Sequence, residues 1–144
     1  MSKNMLLPEA VDFNQFEYPK GLNYFLLVPS GMFKLLSKPE SPIFDYTIEQ
    51  LESAWKAMIA KYSRIKLRSF SDKKHRYHYL YKSLLLRRPG YLIVQFFSIN
   101  EQQSTLLIYS YSLSGFSDFG GNKTLVFDLL IGLKKTADKM FLSS

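Results

Sequence analysis

Residues 64–82 read RIKLRSFSDKKHRYHYLYK and contain two alternating stretches on either side of a polar turn. Charged and apolar side chains alternate over residues 64–68, and tyrosines alternate with basic or apolar residues over residues 75–82. A period of two places successive side chains on opposite faces of a β-strand, and residues 71–74 (SDKK) are typical of a turn. The pattern predicts a hairpin with tyrosines on one face and cations on the other.

The hairpin is predicted to continue into an antiparallel meander. Residues 91–98 are nearly all apolar, as in a central strand that is covered on both faces, and residues 105–112 predict a fourth strand. Turns are predicted at residues 88–90 and 100–104, and connections this short exclude parallel crossovers. A further short strand is predicted at residues 23–28.

Two amphipathic helices flank the meander. Thr47 and Gln50 have the spacing of a capping box, and apolar residues recur at helical spacing from there to about Tyr62. A second helix is predicted after a glycine-rich loop at residues 115–122. The expected fold is therefore α+β, with an antiparallel sheet of four or five strands and both helices packed on one face.

The chain of 144 residues has the length of one domain, residues 1–144. Residues 1–40 hold four of the six prolines and are expected to form an irregular lead-in packed on the body. The absence of cysteine excludes disulfides, thiolate metal sites and a cysteine nucleophile. No apolar run reaches the ~18–20 residues of a membrane-spanning helix, and no signal peptide is recognisable, so we expect a soluble, cytoplasmic protein.

The net charge of +7 is concentrated in one segment of the chain. Residues 61–88 contain ten basic residues and a single acid, Asp72. Such an excess attracts anions. The sequence leaves open whether the anionic partner is an acidic protein, a lipid surface or nucleic acid.

The tyrosine face is expected to pack against a helix, which leaves the cations, together with His78, on an outer face. The expected anion-binding residues are Arg64, Lys66, Arg68, Arg76 and Lys82, with Arg87 and Arg88 at the rim. These residues predict a non-enzymatic binding or accessory domain for an anionic partner. Two other interpretations stay open, namely a solvated, aggregation-resistant sheet surface and a tyrosine platform that stacks bases or sugars.

A second hypothesis, from a different functional class, is a domain that binds a small apolar or aromatic ligand. Phe and Tyr make up 22 of the 144 residues, and helices laid across an aromatic-rich sheet can leave a cavity between the two layers. The hypothesis therefore places a pocket between the helices and the sheet.

The glycine-rich residues 115–124 (GFSDFGGNKT) invite comparison with a phosphate-binding loop. The lysine comes two residues too late for that motif, so we expect a helix start that is capped by Asp118 or Asn122. An enzyme that uses Asp118 with Asn122 is a third hypothesis. His75 and His78 lie three residues apart on a strand and face opposite ways, so neither a metal site nor a cofactor is expected.

Residues 83–89 (SLLLRRP) and 109–122 (YSYSLSGFSDFGGN) share a pattern with a known family. The chain resembles the family called domain of unknown function 1499, which has an S-x-L-x-R-x-P-D-D turn and an S-D-x-G-x-N element before its C-terminal helix. The acidic pair of that turn is replaced here by Gly90-Tyr91, and the two arginines of the family's last strand fall at Tyr109 and Leu113. The family has no established activity, so the resemblance implies a fold and no function.

Overall fold

The computed structural model describes residues 8–17, 23–32, 39–82, 89–112 and 120–142. The strands within these ranges are β1 (Tyr24–Pro29), β2 (Glu40–Ser41), β3 (Ile65–Ser71), β4 (Arg76–Lys82), β5 (Pro89–Ser98) and β6 (Ser104–Ser112). The helices are α1 (Ile48–Ile59) and α2 (Gly121–Phe141), and two short 3₁₀ turns cover Pro8–Ala10 and Phe13–Gln15. None of the helices in these described ranges has an apolar stretch long enough to cross a membrane.

The strands form one sheet in the order β2-β1-β6-β5-β4-β3. The α+β class is confirmed, but the sheet differs from the predicted four or five antiparallel strands at one edge. There β2 adds a sixth strand that runs parallel to β1, with Glu40 beside Val28 and Ser41 beside Pro29. A two-residue strand is too short to carry a periodic pattern, so this pairing leaves no signal in the sequence.

The hairpin of β3 and β4 lies where the alternation predicts it, and β5 follows with an earlier start than expected. Pro89 and Gly90 were predicted to lie in a turn, but they pair with Lys82 and Tyr81 as the first residues of β5. A Cβ atom on Gly90 would lie 2.6 Å from Cζ of Tyr81 and 2.8 Å from the carbonyl oxygen of Tyr111. Glycine is therefore needed at this position because the Tyr81 ring packs against it within the sheet, and not because the chain turns there.

The start of α1 is set by the predicted capping box. The Thr47 hydroxyl accepts a hydrogen bond from the Gln50 backbone N–H, and the Gln50 side chain accepts one from the Thr47 N–H, both at 3.0 Å. The helix ends at Ile59 rather than near Tyr62. The residues that follow form tight i→i+3 turns, in which Tyr62 N–H donates to the Ile59 carbonyl at 3.0 Å.

Both helices pack on one face of the sheet, as predicted. The tyrosines of β4 are buried in this layer, and Trp55 of α1 donates its indole N–H to the hydroxyl of Tyr79 at 2.8 Å. The helix residues buried in this layer include Leu51, Trp55, Met58, Val126, Leu129 and Leu133. The expectation that the tyrosine face is an inward, core-forming face is confirmed.

The opposite face of the sheet is covered by a segment from the start of the chain. Residues 8–16, which we call the strap, contain the two 3₁₀ turns and cross this face. Val11 and Phe13 of the strap pack with Ile93, Leu107 and other apolar residues of the sheet in a second core. The sheet is therefore enclosed by helices on one side and by the strap on the other.

Candidate anion-binding site

The β3–β4 hairpin separates tyrosines from cations as the alternation predicts. Tyr77, Tyr79 and Tyr81 face the helices, so Arg76, His78 and Lys82 lie on the opposite face of β4. On β3, Lys66 pairs directly with Leu80 and Ser69 with His78, which puts both residues on that opposite face as well. The prediction from the alternating sequence, that tyrosines and cations lie on opposite faces of the hairpin, is therefore correct.

The expectation that Arg76 and His78 lie on an open surface is wrong. Their exposed fractions are 8% and 5%, because the strap covers them. The Arg76 guanidinium donates through Nη2 to the carbonyl oxygens of Pro8 at 3.0 Å and Val11 at 2.7 Å, and it lies 5.1 Å from the centre of the Phe13 ring. Arg76 thus binds the chain's own backbone, and the predicted cationic face of the hairpin is open only in part.

A chain of hydrogen bonds runs from Arg76 to the strap through His78. Nε of Arg76 lies 2.8 Å from Nε2 of His78, and an arginine N–H can only donate. The His78 proton must then sit on Nδ1, which donates to the Ser69 hydroxyl at 2.9 Å. The Ser69 hydroxyl in turn donates to the carboxylate of Glu9.

The direction of this chain argues against nucleophilic catalysis by Ser69. A histidine that activates a serine must accept the hydroxyl proton, whereas the Nδ1 atom of His78 already carries a proton and donates it. The Glu9 carboxylate also meets Arg68, with 3.3 Å between Oε2 and the arginine Nε. The arrangement is one in which basic and polar side chains of the sheet hold an acidic strap residue.

Acidification is expected to destabilise the fold through His78. Burial, and after it the positive charge of Arg76, lower the pKa of His78 to about 4. Between about pH 6.5 and pH 4, His78 is protonated in the unfolded chain but stays neutral in the folded protein, so acidification favours unfolding. The contribution of neutral His78 to the free energy of unfolding is therefore complete above about pH 6.5 and is lost as the pH falls towards 4. We expect the free energy of unfolding to drop by about 2 kcal/mol between pH 7 and pH 5 from this residue, measured by urea unfolding.

The matched control for this pH dependence is His78→Gln, which keeps one acceptor and one donor but does not titrate. The wild-type protein should lose more stability than the variant over the same pH interval, by about 2 kcal/mol. Equal slopes for the two proteins would contradict the assignment, as would an NMR titration of His78 with a midpoint near 6.5.

Four of the predicted cations remain accessible and form what we call the basic margin, made of Arg64, Lys66, Arg68 and Lys82. Arg64 donates through Nη1 to the Lys82 carbonyl oxygen at 2.8 Å, which holds these two residues at the same end of the hairpin. Within the described ranges Arg68 pairs with Glu9, and the other three form no ion pair. Arg87 and Arg88, predicted at the rim, lie outside the described residues.

A groove of about 860 Å³ lies between the strap and the sheet. Its wall is partly apolar, with Val11, Phe13 and Phe97, and partly polar, with Arg76 and His78. The small-ligand hypothesis placed a pocket between helices and sheet, but this groove is on the opposite face. Arg76 and His78 already bind the strap and each other, so their polar groups are committed within the protein.

Asn122 does not cap α2, which corrects one expectation for the glycine-rich loop. The N-cap is Gly120, in the left-handed conformation with φ of 79°, and it has no side-chain capping bond. The Asn122 side chain instead points into the protein, where its amide oxygen accepts from Tyr81 at 2.5 Å and from Ser110 at 2.6 Å. Asp118, the other candidate cap, lies outside the described residues.

The remaining bonds of Asn122 complete a buried polar network. Its amide nitrogen donates to the Asn23 carbonyl oxygen at 3.0 Å and to the Ser112 hydroxyl at 3.1 Å. The network ties the first turn of α2 to β4, to β6 and to the start of β1. All of its polar atoms have partners, and in the part of the chain that the structure describes no three His, Asp or Glu side chains are grouped so that they could hold a metal ion.

Sequence reasoning missed Glu9 and Ser69, which complete the contacts around the covered cations. Glu9 and Ser69 are separated by 60 residues, and neither belongs to a motif. A scan against models of protein families finds no match to this chain, and a search of curated proteins finds none either. The resemblance to the domain of unknown function 1499 family therefore stays a prediction.

Proposed function

We propose that this protein is a cytoplasmic, non-enzymatic binding domain that docks an anionic partner on its basic margin. The observation that carries the proposal is the accessibility of Arg64, Lys66 and Lys82, which have no carboxylate beside them in the described ranges. Like charges held close together repel one another and raise the local concentration of anions. A bound anionic partner would relieve this repulsion.

The contact between Glu9 and the hairpin supports a carboxylate as the anionic group. The Glu9 carboxylate already sits against Arg68 and the Ser69 hydroxyl. This contact within the chain supports the view that a partner's Asp or Glu could bind in a similar way, since arginine and hydroxyl donors both suit carboxylate oxygens.

The size of the basic margin favours an acidic protein over nucleic acid or a lipid surface. A protein that binds duplex DNA strongly contacts about 6–10 phosphates, and a membrane surface requires a similarly broad cluster of cations. The strap removes Arg76 from the surface, which leaves the four cations of the basic margin in a narrow line along the hairpin, with Lys73 and Lys74 exposed at its turn. A narrow line of charge fits an extended acidic segment of polypeptide.

The test is a titration with a fluorescently labelled polyglutamate peptide at increasing salt. We expect binding at low ionic strength that weakens steeply towards physiological salt, because the contacts are accessible to counterions. The double variant Lys66→Gln/Lys82→Gln should bind about tenfold more weakly, from the loss of two solvent-exposed charge contacts.

The matched control removes two exposed lysines from α2 with the variant Lys123→Gln/Lys135→Gln. It has the same net charge as the margin variant and should bind the peptide like the wild type. Equal weakening by the two variants would show that net charge alone acts, and no binding at low ionic strength would refute the proposal outright.

A further inference from the structure

We propose that the outer edge of β3 binds an extended acidic segment of a partner protein as an added β-strand. This inference rests on the proposed function of the basic margin and specifies how the partner is held. It also specifies the sequence pattern of the partner, which would be a segment in which acidic and apolar residues alternate.

The backbone of β3 offers hydrogen-bonding groups on its outer side. β3 is the last strand of the sheet, and among the described residues it pairs with β4 alone. The Lys82 N–H donates to the Arg64 carbonyl at 3.3 Å, and the direction of these bonds alternates along an antiparallel pair. The backbone groups of Arg64 and Lys66 therefore face β4, whereas the Ile65 carbonyl and both backbone groups of Leu67 face outward. The Ile65 N–H is already used, because it donates to the Tyr62 carbonyl at 3.1 Å.

The side chains at this edge define what an added strand would carry. Leu67 and Phe70 lie on the helix side of the sheet with exposed fractions of 53% and 55%. Lys66 and Arg68 lie on the other side, where both are exposed. An added strand alternates its side chains in the same way, so apolar residues would meet Leu67 and Phe70, and carboxylates would meet the cations.

The same edge carries features that disfavour pairing with another copy of itself. Two β3 edges would bring Lys66 and Arg68 of one copy close to those of the other, and like charges opposite one another are destabilising. A β-bulge between Leu67 and Ser69 interrupts the regular ladder, which limits the register available to an added strand. Charge complementarity thus selects an acidic occupant over a second copy of this chain.

The experiment compares three peptides by titration against the full chain. One alternates Glu and Val, one has the same composition in scrambled order, and one is the alternating peptide with alternate backbone nitrogens methylated. We expect the alternating peptide to bind about tenfold more tightly than either of the others. Hydrogen exchange of the Leu67 amide should slow when it binds, because this amide would become hydrogen-bonded.

The variant pair Leu67→Pro and Leu67→Ala tests the backbone contact from the side of the protein. Both lose the leucine side chain, but proline also lacks the outward N–H, which does not contribute to the β3–β4 ladder. We expect Leu67→Pro to abolish the preference for the alternating peptide and Leu67→Ala to keep part of it. The methylated peptide gives the same information without any change to the protein.

Each outcome bears differently on the two proposals. Equal binding of the alternating and scrambled peptides, with the salt dependence intact, would overturn strand addition and leave the basic margin standing. No binding of any acidic peptide would overturn both proposals. Dimerisation of the chain without peptide, or tighter binding to an oligonucleotide or to anionic vesicles than to the alternating peptide, would also overturn the inference.

Discussion

Replacing Asn122 with leucine is expected to lower the free energy of unfolding by about 3 kcal/mol, although the two side chains are similar in size. Asn122 is only 2% exposed and accepts from two hydroxyls while donating to two oxygens. Leucine removes all four bonds, and a buried polar group that loses its partner costs about 1–3 kcal/mol. Tyr81 and Ser110 still contact each other at 3.0 Å, which keeps the total below the sum of four separate losses.

Urea unfolding of the variant measures this loss, and its matched control is Lys123→Leu at the next, exposed position of the same helical turn. That control should change stability by less than about 0.5 kcal/mol, as surface substitutions usually do. A double variant with Ser112→Ala should be less destabilised than the sum of the two single variants, because both act on one network. A loss below about 1 kcal/mol for Asn122→Leu would contradict a stabilising role for this network.

Replacing Arg76 with methionine is expected to detach the strap and to cost about 3 kcal/mol. Methionine fills a similar volume but removes the hydrogen bonds to the Pro8 and Val11 carbonyl oxygens and to His78. Bonds from a charged donor contribute more than neutral ones, about 1.5–3 kcal/mol each, and part of this is recovered because the arginine charge no longer has to be buried. The strap should then exchange its amide hydrogens faster and become sensitive to proteases.

The pKa of His78 provides a second measurement on the Arg76→Met variant. Burial and the Arg76 charge are the two largest causes of its low value, and the substitution weakens both. An NMR titration should therefore show the pKa of His78 rising from about 4 towards its ordinary range. The control Lys82→Met changes an exposed cation on the same face of β4 and should leave both the strap and His78 unchanged. Unaltered strap exchange in Arg76→Met would refute the anchoring role.

The elements that could be predicted from sequence are those whose signal is local. Thr47 and Gln50 lie three residues apart, so their reciprocal bonds depend on one turn of helix. The two-residue period of β4 likewise depends on the strand backbone alone, and it correctly placed Tyr77, Tyr79 and Tyr81 together in the core. Gly90 was misread because glycine marks turns as well as places of close packing, and the Tyr81 ring that needs the space is nine residues away.

The elements that could not be predicted depend on partners that are distant in sequence. Arg76 meets Pro8 across 68 residues, and Asn122 meets Asn23 across 99. A lysine or arginine in an alternating strand has the same pattern whether its face is open or covered, because periodicity reports only which side chains share a surface. The two-residue strand β2 was not predicted for a related reason, since two residues carry no periodic pattern and the strand pairs with β1, where Val28 is the partner of Glu40.

The sequence by itself determined the class of fold, the cluster of positive charge and the division of the hairpin into a tyrosine face and a cationic face. All three features follow from the amino-acid composition and from the alternation of side chains along a strand, which can be recognised from a few neighbouring residues. Only the tertiary structure decided that the strap covers Arg76 and His78, whereas the cations of the basic margin stay accessible on the β3–β4 hairpin. A face of the sheet stays exposed unless a segment that is distant in sequence packs its apolar side chains against that face. Which segment does so depends on packing across the whole chain.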